Sequence, residues 1–208
     1  MQKIKPQSLA DMVYENLKDQ ILNEEIKGGE KIAEEQLAEK LGVSRTPIRE
    51  AIKRLSEYGL ITLNPRTNAM VSIITNKEAI DICTVRLTLE ELTIRTLCKM
   101  ANVDFTEIED HANACLKAID AGDQSTLFQE DSQFHIAMAR ATQNNILLSL
   151  LLKLDAQILK IRIAQSIKEE ALKTYYDQHM QLIELIKEKQ PEQACKLMKK
   201  HIFHDLPY

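Results

Sequence analysis

A chain of 208 residues with 28% charged and 44% hydrophobic side chains has the composition of one or two water-soluble globular domains. No apolar run approaches the roughly 20 residues of a membrane helix, and the N-terminus lacks the apolar stretch of a secretion signal, so a cytosolic protein is expected. The balance of 27 basic against 31 acidic residues, net −4, excludes a protein that holds polyanions by bulk charge. Five Gly, five Pro and no Trp, among many Leu, Ile, Lys, Glu and Ala, point to a mainly α fold.

Glu34 to Leu41 spaces Leu37, Ala38 and Leu41 on one helical face, and Gly42 follows as a stop. After the short Gly42-Val43 turn, Ser44 is placed to cap a second helix, with Pro47 tolerated in its first turn. Ile48, Ala51, Ile52 and Leu55 form the buried stripe of that helix, which leaves Arg45, Thr46, Arg49, Lys53 and Arg54 to point elsewhere. Two helices joined by a tight glycine turn are a helix-turn-helix. Arginines and a small hydroxyl residue in the first turn of its second helix suit a reader of the DNA major groove. Two short apolar runs follow, Leu60 to Leu63 and Ala69 to Ile74, separated by Asn64 to Asn68. They predict a hairpin with Arg66 at its tip near DNA, hence a winged helix-turn-helix. Between residues 40 and 66 six basic side chains face two acidic ones, a local net charge of +4 on an acidic protein.

Strand-like alternation ends near Thr75-Asn76, so the expected domains are residues 1–75 and 76–208. Asn76 is placed as an N-cap, and a helix with Ile80, Ile82, Val85, Leu89, Leu92, Ile94 and Leu97 on its apolar side runs to about Ala101. Further helices are expected from after Asp104 to Ala121, stopped by Gly122, and from about Asp123 to Ala141. Three more run from Asn144 past Ile161, over roughly Lys168 to Lys189, and from Pro191 to about His204. Six helices in this length make an antiparallel six-helix bundle. The Leu147 to Leu154 segment is apolar on more than one face, so part of it suits a second subunit. Cys83, Cys98, Cys115 and Cys195 form no CxxC pair and are expected to be reduced, half-buried small apolar residues.

Asp131 and His135 stand one turn apart on the third bundle helix, His179 lies on the fifth and His201 on the sixth. Three helices of one bundle can aim one carboxylate and three imidazoles at a common centre, a donor set for zinc, nickel, manganese or iron. Spacing alone leaves a second reading open, an Asp–His pair and two unrelated histidines. His111 and His204 lie in polar surroundings and are expected to be exposed.

Residues 8 to 73 resemble the DNA-binding domain of the GntR family of bacterial transcription regulators. The resemblance rests on Tyr14-Glu15-Asn16-Leu17-Lys18 with Ile21-Leu22, on Gly29-Glu30-Lys31-Ile32, on the Ser44 to Ala51 core and on Tyr58-Gly59-Leu60-Ile61. One departure is Asn68, where the family usually has glycine; asparagine tolerates a left-handed backbone. Asp131 to His135 with Asn144, His179 with Leu182, Ile183 and Ile186, and Ala194 with Met198 and His201 resemble the FCD ligand-binding domain of the FadR subfamily, in its smaller six-helix variant. That resemblance implies a divalent metal held by Asp131, His135, His179 and His201, zinc first among the candidates. It also implies a small organic acid as effector: a hydroxy acid, dicarboxylate, sugar acid or amino acid. Arg86, in a pattern the family shares, could pair with that carboxylate or bridge to Glu90, and Asn144 could bind the ligand or cap its helix. Arg162 is a weaker candidate.

The expected protein is a homodimeric regulator, most simply a repressor, that binds a short palindromic operator and responds to the acid at the metal. Two other readings compete with it: a metal-dependent hydrolase or lyase in the bundle, for which no HExxH or ExxH pair is present, and a regulator whose metal is purely structural.

Overall fold

The computed structural model describes residues 8–22, 25–57, 59–63, 69–164 and 169–203. They divide into two compact units, residues 1–73 and 74–208.

The first unit opens with α1 (Leu9–Leu22), whose first turn is closed by Ser8 and Asp11: each side chain accepts from the other's backbone N–H, at 3.1 and 3.0 Å. Val13, Leu17 and Ile21 form its buried face. Helices α2 (Glu34–Leu41) and α3 (Arg45–Glu57) are the helix-turn-helix. Gly42, at φ 65°, ends α2 in the left-handed conformation a β-carbon disfavours. Ile48, Ala51, Ile52 and Leu55 are all buried, as the 3.6-residue spacing requires. Each such side chain contributes roughly 1.5–3 kcal/mol from apolar burial, Ala51 less.

Strands β1 (Lys31–Ile32), β2 (Ile61–Thr62) and β3 (Ala69–Val71) form an antiparallel sheet in the order β1-β3-β2. Lys31 pairs with Met70 and Ile61 with Val71. The hairpin strands are thus shorter than the apolar runs expected for them. A third strand lies on the far side of β3, where two residues carry too little period to be seen. Gly29, at φ +82°, precedes β1, and a β-carbon there would meet Ile73 at 3.0 Å. Arg66 and Asn68 lie outside the described residues.

The second unit contains α4 (Asn76–Lys99), α5 (Thr106–Ala121), α6 (Gln124–Ala141), α7 (Asn145–Ala164), α8 (Glu169–Lys187) and α9 (Pro191–Ile202). The cap of α4 is Thr75, one residue before the expected Asn76. Its hydroxyl accepts from Glu78 N at 3.2 Å while the Glu78 carboxylate accepts from Thr75 N at 2.9 Å, a reciprocal box that asparagine one position on cannot make. Gly122, left-handed at φ 67°, ends α5, and Asp123 caps α6. The core gathers Phe134 and Met138 of α6, Ile94 and Leu97 of α4, Leu182 and Ile183 of α8 and Met198 of α9.

Along α4 the buried face departs from the expected stripe. Ala79, Cys83, Arg86, Glu90, Thr93, Ile94 and Leu97 are inside, whereas Val85 and Leu92 are about half exposed (52% and 48%). Arg86 and Glu90 are in phase with Cys83, Ile94 and Leu97, so burial follows helical period and overrides side-chain polarity. All four cysteines are buried and outside any disulfide, deeper than expected. Burial pushes the Cys195 thiol up to about 11. No helix among the described residues is long and apolar enough to cross a membrane.

Candidate nucleic-acid interface and metal centre

The outward face of α3 presents Arg45, Thr46, Arg49 and Lys53, all exposed, and Ser44 is exposed just before it. Two of these arginines have protein partners. Arg45 hydrogen bonds the Glu35 carboxylate, and Arg49 Nε donates to Glu34 Oε2 at 2.8 Å. The Glu34 hydrogen bond and charge hold the Arg49 guanidinium above its ordinary pKa. Both acids sit in the first turn of α2, where the helix dipole favours them. Such open pairs are worth only about 0–1 kcal/mol and exchange readily for phosphate or base contacts.

Arg54, counted above in the basic patch, has a different place. Its Nη1 donates to Asp11 Oδ1 at 2.5 Å, and its guanidinium carbon lies 4.3 Å from the Tyr14 ring centroid, so it ties α3 to α1. Hydrogen bonds from Ser8, then from Arg54, hold the Asp11 carboxyl down at about 2.

In the second unit, α6, α8 and α9 bring Asp131, His135, His179 and His201 together. All four are buried, and one ligand atom from each lies within 4.8 Å of every other. The three imidazoles converge through Nε2: His201 stands 3.3 Å from both His135 and His179. Asp131 Oδ1 is 3.1 Å from His179 Nε2 and 3.8 Å from His201 Nε2, and its Oδ2 is 3.9 Å from His135 Nε2. The Phe134 ring stacks on His179 with centroids 4.0 Å apart and helps fix that ring.

The opposite ring nitrogens decide what the Nε2 atoms can be. His201 Nδ1 is 2.9 Å from Gln178 Oε1, an oxygen that can only accept, so Nδ1 carries the proton. His135 Nδ1 is 2.9 Å from Glu90 Oε1, and the charge of that carboxylate favours the proton on Nδ1, although the two atoms are not aligned as a hydrogen bond. Both Nε2 atoms then present bare lone pairs to each other. A hydrogen bond between them would need a doubly protonated ring, and burial lowers the pKa of His135, against that state. A cation between the lone pairs relieves the conflict. Donors 2.0–2.1 Å from a tetrahedral ion stand about 3.3–3.4 Å apart, close to the 3.3 Å that separates His201 Nε2 from the Nε2 atoms of His135 and His179. The residues fit a divalent metal.

Glu90 is fully buried, and Arg86 Nε lies 3.5 Å from its Oε1. Burial pushes the Glu90 carboxyl up, but the charges and hydrogen bonds of His135 and Arg86 outweigh it and leave the pKa below the ordinary value. Arg86 is the standing counter-charge to this buried carboxylate. Among the residues singled out from the sequence, Arg86 therefore borders the centre through Glu90. Asn144 is exposed, and its Oδ1 accepts from Ile146 N and Leu147 N at 3.2 and 3.1 Å, capping α7. His111, expected to be exposed, is half-buried with Nδ1 2.6 Å from Glu130 Oε2. His204 lies outside the described residues, as does the side chain of Arg162. Glu90 and Gln178 are the residues sequence reasoning missed as partners of the histidines. The phase of Glu90 on α4 was a usable signal, whereas nothing in the sequence marks Gln178.

A helix-turn-helix with its arginines outward, in one chain with a helical bundle that encloses a polar centre, points to a DNA-binding regulator with a second, helical domain. Residues 9–71 match the family described as bacterial regulatory proteins, gntR family, and residues 81–204 match the FCD domain. The chain belongs to the GntR family of transcription regulators, and its matched relatives are regulators, not enzymes. It is 31% identical over 194 residues to the HTH-type transcriptional regulator YdhC of Bacillus subtilis (strain 168), covering 92% of this chain and 87% of that one. It is also 31% identical over 190 residues to the gluconate operon transcriptional repressor of Bacillus licheniformis, covering 86% and 76%. A GntR transcriptional regulator structure from Rhodococcus sp. RHA1 superimposes with a TM-score of 0.79 over 94% of both chains at 18% identity, a likeness of fold.

Proposed function

We propose that the protein is a homodimeric repressor that binds a short palindromic operator and releases it when a small organic acid occupies a divalent metal centre in the bundle. The observation that carries this reading is the buried meeting of three imidazole Nε2 atoms with Asp131, two of whose rings have their protons assigned to the outer nitrogen. Asp131, His135, His179 and His201 would hold the ion, zinc before nickel, manganese or iron. Bound there, a divalent ion supplies a Lewis-acid position for the oxygens of an acid. Arg86 is the nearby cation that could meet a carboxylate through guanidinium N–H groups not turned toward Glu90.

On the DNA side, Arg45, Thr46 and Arg49 contact bases and phosphates, Ser44 approaches phosphate at the start of α3, and Arg66 of the wing holds the flank. The dimer is supported by an exposed apolar surface on α4 and α7. Val85 and Leu92 flank the partly buried Leu89, which packs beside Leu147 and Leu151, while Ile146 and Leu150 of α7 stand exposed. A twofold dimer presents two recognition helices and therefore asks for a palindrome. Relatives bearing the names of a gluconate operon repressor and a D-xylose utilization operon repressor support repression, and the former supports an acid as effector.

The burial of all four ligands also suits a second reading, an ion that only staples the bundle. Metal content by plasma mass spectrometry, on the wild type and on His179→Ala/His201→Ala, tests the centre. The expectation is about one divalent ion per chain, lost in the variant. Absence of metal from both proteins removes the centre and leaves the DNA-binding reading. Release of an in-vitro-selected operator by small carboxylates then separates sensor from staple.

A further inference from the structure

We propose that Gln178 of α8 is an effector-reading residue: its amide oxygen orients His201, and its amide N–H group binds a second oxygen function of the acid held at the centre. This rests on the metal and effector reading above. Gln178 is 3% exposed. For His201 to offer Nε2 to the centre, its Nδ1 proton must go to Gln178 Oε1, 2.9 Å away. That bond fixes which way the amide faces and turns its NH2 away from His201. The nitrogen is buried and has no hydrogen-bond partner among the described residues. A buried donor left unmet is costly, and structures rarely tolerate one without a use for it.

A glutamate at this position would do the orienting task without that cost. Carboxylate–histidine–metal pairing is the common arrangement, and Glu90 already forms it with His135. What glutamine adds is a neutral donor where glutamate would bring a third buried negative charge, beside Asp131 and Glu90. That difference favours an anion's oxygen as the missing partner. Arg86 Nε, 3.5 Å from Glu90 Oε1, is another buried donor near the centre. The Gln178 amide meets His201 on the ring nitrogen that faces away from the other imidazoles. A ligand must therefore extend past its metal-bound carboxylate to reach it. The class of effector is an acid with a hydroxyl or second carboxylate some atoms away, not a simple monocarboxylate.

The test uses the zinc-loaded full chain as wild type, Gln178→Glu and Gln178→Leu, titrated calorimetrically with malate, citrate, gluconate and acetate. Wild type and Gln178→Glu should each hold about one zinc per chain, and Gln178→Leu should bind zinc about 10–100-fold more weakly. Wild type should bind at least one of the three larger acids and not acetate, and Gln178→Glu should bind that acid at least roughly 10-fold more weakly. Equal acid affinity in wild type and Gln178→Glu overturns the inference while the metal and effector reading stands. Loss of zinc from Gln178→Glu overturns the orienting half. Acetate binding as tightly as the larger acids overturns the effector class. A wild type that holds no zinc, or binds none of the acids, brings down the underlying reading and this inference with it.

Discussion

The two units carry their charges under opposite conditions. On α3 the arginines stand in water and meet the α2 carboxylates through pairs that solvent screens. In the bundle Arg86 and Glu90 are almost wholly removed from water. Charge in the first unit is therefore exchangeable, free to leave one anion for another at little cost. Charge in the second is committed, because removing one partner leaves the other buried and alone. A DNA reader needs the first kind and a preorganised ligand centre the second.

The sharpest way to break this contrast is Glu90→Ala, which strands Arg86 and frees His135 Nδ1. A loss of about 3–5 kcal/mol is expected, and a fall in Tm on the order of 10 °C, read by thermal denaturation. A variant as stable as the wild type would show that the buried pair is not committed. Arg49→Ala comes next. Exposed on α3, it should change stability by no more than about 0.5 kcal/mol yet lower operator affinity by about 1–3 kcal/mol, measured by fluorescence anisotropy on a selected operator. Unchanged specific binding would show that α3 is not the recognition helix.

Glu34→Gln/Glu35→Gln sharpens the comparison. With both carboxylates gone, Arg49 and Arg45 no longer share their charge. Affinity for random-sequence duplex should rise a few-fold, and its dependence on salt should steepen by up to about one counterion per freed arginine. The melting temperature should hardly move. No change on random duplex would mean that the acids do not compete with DNA.

The smallest effect belongs to Asp11. Its folded pKa, about 2, lies below the ordinary aspartate value of 3.8. The tie between α1 and α3 is thus at full strength above roughly pH 4 and is lost as pH falls through 2. Asp11→Asn should flatten that part of the acid unfolding curve and leave neutral stability little changed.

Much of this was legible in the residues. The α3 stripe, the glycine stop before it and the bundle helices follow from period and capping, which are local. Asp131 with His135 follows from one turn of helix. What escaped detection depends on elements far apart in sequence. Arg54 reaches Asp11 across 43 positions. His135 finds Glu90 on another helix, and β1 is too short to announce itself. Polarity misled along α4 for Val85 and Leu92, which were expected inside and stand half exposed, whereas Arg86 and Glu90 face inward and pair as one of the expected roles of Arg86 has it. Apolar residues turned out and charged residues turned in are a local rule broken, and such breaks gather where a protein works.

Helix α4 has 24 residues, about 36 Å of continuous rod, and begins just after the boundary between the two units. One side carries Arg86 and Glu90, of which Glu90 meets His135, and the other carries the exposed Val85 and Leu92. A rigid cylinder cannot turn one side without the other. Like the camshaft of an engine, α4 would convert any reseating of Glu90 into a displacement of its outer surface, with no need for a chain of side-chain contacts through the core.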